Sequence, residues 1–97
     1  MDRSTETLRG TRQASLDVST PTITAQIGPR IPGTVYDNAS GVFRVLSVVT
    51  DPSEARRVLR RNAARFAVLI EDLHTRDRHY TGATWTGSDR VLKAVAA

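Results

Sequence analysis

The chain has no cysteine, a single tryptophan, and only one lysine, Lys93, among its fourteen basic residues. Without cysteine, disulfides and thiolate metal sites are both excluded. Two histidines are too few for a convincing zinc site. No stretch approaches the eighteen apolar residues a membrane span needs. The opening Met1-Asp2-Arg3-Ser4-Thr5-Glu6 has no apolar core behind its charges, which argues against a secretory signal and makes the cytoplasm the expected compartment. The Gly-x-Ser-x-Gly elbow and the phosphate-cradling glycine loop are missing too. Glu71 and Asp72 are neighbours on a predicted strand, so they point to opposite faces and make a poor carboxylate pair. The expectation is a protein that is not an enzyme, with no cofactor, no metal and no small-molecule substrate.

What is present is 97 residues with a formal charge of +4. That length gives one domain at most. A chain so short buries a modest share of its surface, and with no disulfide or metal available, self-association is the remaining way to add stability. A homodimer is its commonest form. Thirteen arginines against one lysine carry the stamp of a GC-rich genome, so their placement says more than their number.

Residues 1–33 have few large apolar side chains and no sustained period, and they read as a flexible N-terminal arm. Pro29-Arg30-Ile31-Pro32-Gly33 closes it. Residues 34–97 read as a compact α+β module. Thr34-Val35-Tyr36 and Val42–Thr50 are β-rich runs separated by turn formers, a hairpin whose second strand is apolar on both faces for much of its length and is therefore expected to be central and covered on both sides. Asp51-Pro52-Ser53-Glu54 starts a helix that runs on from Ala55 to Arg65, with Asp51 as cap, Pro52 in the first turn and Glu54 placed to complete a capping box. Ala55, Val58, Leu59, Asn62, Ala63 and Phe66 give it a buried stripe at helical spacing. Phe66–Leu73 and His79–Thr86 form a second hairpin around a polar turn. The order is β-hairpin, helix, β-hairpin and a short tail, in which Arg90–Val95 fits a helix or a strand equally well.

Three constellations stand out. Arg56, Arg57, Arg60, Arg61 and Arg65 fall opposite the Val58/Leu59 stripe, and only Glu54 is within reach to neutralise them. They are candidates for binding a partner protein or nucleic acid. Phosphate contacts there would supply affinity without sequence specificity. Tyr80 and Trp85 sit at odd spacing on the last strand, hence on opposite faces, and are candidates for a dimer interface. Asp72, His74, Asp77 and His79 cluster about the second turn, where polar residues of an exposed hairpin explain them better than a metal does.

The Tyr36–Leu46 hairpin, the Thr50-Asp51-Pro52 helix start, the Val68–Leu73 strand and the closing Thr84-Trp85-Thr86-Gly87-Ser88-Asp89-Arg90-Val91-Leu92 run together resemble the BldB-like family of small developmental regulators from filamentous actinobacteria. The resemblance covers roughly residues 33–93. It implies a cytoplasmic, self-associating protein in developmental and transcriptional control, with a helix-turn-helix regulator of the WhiJ type as a partner. It supplies no catalytic residues. The resulting expectation is a homodimeric regulator acting through protein–protein contacts, with direct DNA binding through the arginine-rich helix face as the alternative.

Overall fold

The computed structural model describes residues 21–95. Its elements run α1 (Ile23–Ile27), β1 (Val35–Asn38), β2 (Gly41–Val49), α2 (Pro52–Leu59), β3 (Ala67–Asp72), β4 (Arg78–Thr81) and β5 (Arg90–Lys93). This is a small α+β domain. All five strands form one antiparallel sheet in the order β4-β3-β2-β1-β5. β2, the longest and most β-branched, occupies the centre, as its composition predicts. The tail that left helix and strand open is a strand, β5, paired with β1.

Register sorts the side chains. Directly paired residues share a face, so Tyr36, Phe43, Val45, Ile70, Val68 and Thr81 lie on one side of the sheet. Five of these six form the buried core, with Ile27 and Phe66 laid over them. Each fully buried aromatic or branched side chain contributes about 1.5–3 kcal/mol. The opposite side carries Val35, Asp37, Arg44, Glu71, Arg78 and Tyr80. An extra residue between Val45 and Ser47 shifts the β2–β3 register, returning Val48 to the core side.

The flexible-arm expectation for 1–33 needs amending at its end. Residues 1–20 lie outside the described residues, but residues 21–33 are part of the fold. Thr22 caps α1 by accepting from the Ala25 N–H at 3.0 Å, and Ile27 and Arg30 are buried. Five residues cannot hold a helix alone. Tertiary contacts hold this one, through Ile27 and Ile23, a pair too short to stand out as a helical period in the sequence.

The second correction is the length of α2. Asp51 caps it as predicted, accepting from the Glu54 N–H at 3.2 Å. The Glu54 carboxylate, however, accepts from Arg57, in place of closing the capping box. The helix then stops at Leu59, with Arg60 in the left-handed region at φ 56°. Continuing it would stack Arg56 on Arg60 and Arg57 on Arg61, like charges at i,i+4 spacing. Ending it lets Phe66 reach the core. Asn62 and Ala63 are exposed, so the predicted buried stripe ends at Leu59 as well.

Candidate functional site

The early end of α2 takes apart the arginine ridge. Only Arg56 and Arg57 stand on the helix. Arg57 is paired with Glu54, an interaction that raises the arginine pKa and lowers the glutamate's through their hydrogen bond. Arg60 forms the C-cap. Arg61 borders a hollow of about 170 Å³ between the 61–66 loop and Gln26. Arg65 turns back to α1, donating to the Pro21 carbonyl at 2.9 Å and to Gln26 Oε1 at 2.8 Å. The five do not share one ridge.

Trp85 also departs from its expected place. β4 ends at Thr81, and Trp85 sits in the following loop, its N–H donating to the Gln26 carbonyl at 2.7 Å. Its ring meets Tyr36 edge-on, 5.4 Å between centroids. A side chain on Gly28 would come within 2.5 Å of the indole, which shows how closely α1 seats on it. This packing engages Trp85 within the fold. Tyr80 stays on β4, half-buried, beside Leu69 on the other side of the sheet.

The residue at the centre of this packing is Arg30, only 2 % exposed. Its Nε donates to the Ile27 carbonyl at 2.7 Å, and its Nη2 to the carbonyls of Gln26 at 2.9 Å and Ala83 at 2.8 Å. Its guanidinium carbon lies 5.7–5.9 Å from the ring centroids of Trp85, Tyr36 and Phe66, within cation–π range. It ties the end of α1 to the 82–89 loop and fills the box between three aromatics. Sequence reasoning passes over it, because an arginine between two prolines reads as linker. The clue available was a lone charge amid Ile23, Ile27 and Ile31.

Beside Arg30 opens a cleft of about 190 Å³, walled by Tyr36, Asn38, Ser40, Phe43, His79 and Asp89 among others. That is room for roughly six waters. Burial pushes the Tyr36 hydroxyl above its ordinary pKa, with Arg30 pulling it partly back. Burial also acts to raise Asp89. Hydrogen bonds from Asn38 and Thr86 and the charge of Arg30 outweigh it and hold that carboxyl below the usual range. Ser40, His79 and Asp89 share these walls, yet no hydrogen bond among the described residues joins them. Asp89 accepts from Asn38 and from the Thr86 N–H, each at 2.9 Å, so the relay that a nucleophilic triad requires is not formed.

In the β3–β4 turn, Asp72 Oδ1 accepts from the N–H groups of His74 and Thr75, at 2.8 and 3.1 Å. These bonds hold its carboxyl below the ordinary value. Among the described residues no group of three or more His, Cys, Asp or Glu is placed to hold a metal ion, and no helix is long and apolar enough to cross a membrane.

The two sheet edges differ. β4 presents Arg78 and His79, both exposed. β5 presents Val91 and Leu92, the latter 47 % exposed, and Val95 follows it. Arg90 is drawn back onto β1 by a two-pronged bond to Asp37, at 2.9 and 3.3 Å. The apolar pair therefore forms the middle of an open strand. Ile31, 51 % exposed, lies two residues from Gly33, whose Cα hydrogens face Val95.

Comparison with protein-family models, with curated proteins and with solved structures finds no match in any of the three.

Proposed function

We propose that the protein is a small regulatory module that acts through protein–protein contacts and pairs with a second copy of itself along β5. The observation that carries this reading is the contrast between the two edges. An open strand offers unpaired N–H and C=O groups to another strand. Here one edge is basic and the other apolar at its middle. Head-to-tail pairing of β4 with β5 would set Arg78 and His79 against a strand that ends in Lys93, whereas β5 against β5 closes after two copies. Ile31, Val91, Leu92 and Val95 would then be covered, offsetting the small core of a short domain.

A regulator working in the cytoplasm through such contacts agrees with the resemblance to BldB-like developmental regulators. A helix-turn-helix transcription regulator is the partner that resemblance suggests. With no catalytic constellation formed in the cleft, we favour a binding role over an enzymatic one, and we assign no cofactor.

Sedimentation at micromolar concentration tests the proposal. The expected result is a dimer mass that returns to the monomer on Leu92→Glu, with the far-ultraviolet dichroism unchanged. A folded wild-type monomer at that concentration would remove the pairing along β5 from consideration.

A further inference from the structure

The side of the sheet away from the core carries a row of residues in direct cross-strand register. Arg78 is opposite Glu71, Glu71 opposite Arg44, Arg44 opposite Val35, and Val35 opposite Lys93. Neighbouring strands are about 4.8 Å apart, so Arg78, Arg44 and Lys93 recur at intervals of roughly 10 Å across the sheet. Arg76 and Arg90 flank the row. Glu71 lies between Arg44 and Arg76, 3.7 Å from each, its side chain only 12 % exposed. Asp37 holds Arg90. Five cations against these two carboxylates leave an excess of positive charge spread over one face. Arg78 and Lys93 have no carboxylate partner among the described residues and are exposed.

We infer that this face binds the phosphate backbone of nucleic acid. Four of the five cations are arginine, whose planar fork matches phosphate oxygens. Placement on a rigid sheet lets them meet separate phosphates of the backbone without first ordering a loop. Tyr80 is the one aromatic assigned to this face, too few for the stacking platform that single-strand binders use. Recognition is therefore of the backbone, indifferent to sequence. The row is distinct from the scattered arginines of the α2 segment, of which Arg57 comes near Tyr80 on this face. It shares β5 with the proposed pairing of copies through Lys93, but it uses side chains on the face where pairing uses main-chain groups at the edge.

The test is fluorescence anisotropy with a labelled 20-base-pair duplex across a salt series, with Arg78→Gln/Lys93→Gln as the variant. Both side chains are exposed and outside the ion pairs, so the fold is expected to be unaffected. If Arg44, Arg78 and Lys93 each neutralise one phosphate, the wild type should lose about forty-fold in affinity between 50 and 200 mM salt, and the variant only about three- to four-fold. Arg56→Gln/Arg61→Gln, on and beyond α2, should match the wild type. The inference fails if the sheet-face variant keeps the wild-type salt dependence, or if the α2 variant is the one that loses it. It also fails if polyglutamate of equal charge displaces the duplex as well as unlabelled duplex does, because the face would then be a general site for acidic chains.

Discussion

Two short helices each end near an arginine, and the two arginines do opposite work. Arg30, three residues beyond α1, is buried and bonded to three main-chain carbonyls. Arg60, directly after α2, points to solvent and adopts a left-handed backbone. The α1 segment has almost no periodic pattern, yet it is fastened to the core. The α2 segment has a strong pattern over residues 55–66, and half of it is not helix. The difference lies in what each arginine can reach. Arg30 finds carbonyls orphaned at the end of α1 together with one from the 82–89 loop. Beyond α2, Arg60 and Arg61 are left exposed, and Arg65 finds acceptors only by turning back to Pro21 and Gln26.

The comparison breaks most sharply if Arg30 is removed. Arg30→Met keeps the apolar stem among Tyr36, Phe66 and Trp85 but orphans the Ile27 and Ala83 carbonyls, while the Gln26 carbonyl keeps the Trp85 N–H. Each unpaired group costs roughly 1–3 kcal/mol. A loss of about 3 kcal/mol is expected in chemical denaturation, with Trp85 fluorescence changing in the native baseline. A loss under about 0.5 kcal/mol, the scale of ordinary surface changes, would mean that α1 is held by Ile27 alone.

Gly28→Ala attacks the same junction from the backbone. Gly28 has φ 66° and ψ −141°, a combination open essentially to glycine, and an added Cβ would enter the Trp85 ring. Strain and overpacking together predict a cost of about 2 kcal/mol. An unchanged melting temperature would show that α1 can shift away from Trp85 without penalty.

The regularity of the sheet was legible from composition, and α1 was not. Val42–Thr50 announces a central strand because β-branched residues fill both of its faces, and Asp51-Pro52 announces a helix start because cap and first turn are local chemistry. The end of α2 was hidden, since periodicity records which residues could be buried and is silent on like-charge stacking at Arg56/Arg60. Trp85 was assigned to a strand by its β-rich neighbours Thr84 and Thr86. Its true position depends on the Gln26 carbonyl, 59 positions away in the chain. The row of Arg78, Arg44 and Lys93 was equally hidden, because it exists only once four strand pairings fix the register.

A smaller effect should appear on acidification. Asp89 supports the 86–89 turn through Thr86 and reaches β1 through Asn38, and its folded pKa is lowered. A lowered carboxyl pKa contributes stability above the unfolded value near 3.9 that is lost as pH falls through the folded one. The Trp85 loop should therefore loosen only below about pH 4, where the unfolded-state carboxyl begins to protonate. Asp89→Asn should remove that step from the Trp85 fluorescence titration. A step that persists in the variant would assign it to another carboxylate.

The finest test concerns the residue that ends α2. Arg60 sits at φ 56° and ψ 44°, where a side chain carries a steric cost that glycine does not. Its N–H donates to the Arg56 carbonyl, and the Arg61 N–H reaches the same carbonyl at 3.3 Å, the arrangement in which glycine is the favoured terminator. Its side chain is exposed and makes no ion pair among the described residues, so little packing is lost on truncation. Arg60→Gly should thus stabilise the domain by about 0.5–1 kcal/mol, less whatever glycine adds to the entropy of the unfolded chain. Arg56→Gly, four residues earlier in the helix interior, should destabilise by a similar amount. Opposite signs for two arginine-to-glycine changes one turn apart would locate the helix end at Leu59. If both destabilise, the helix continues in solution through residues 60–65, and the arginines there return to a single ridge.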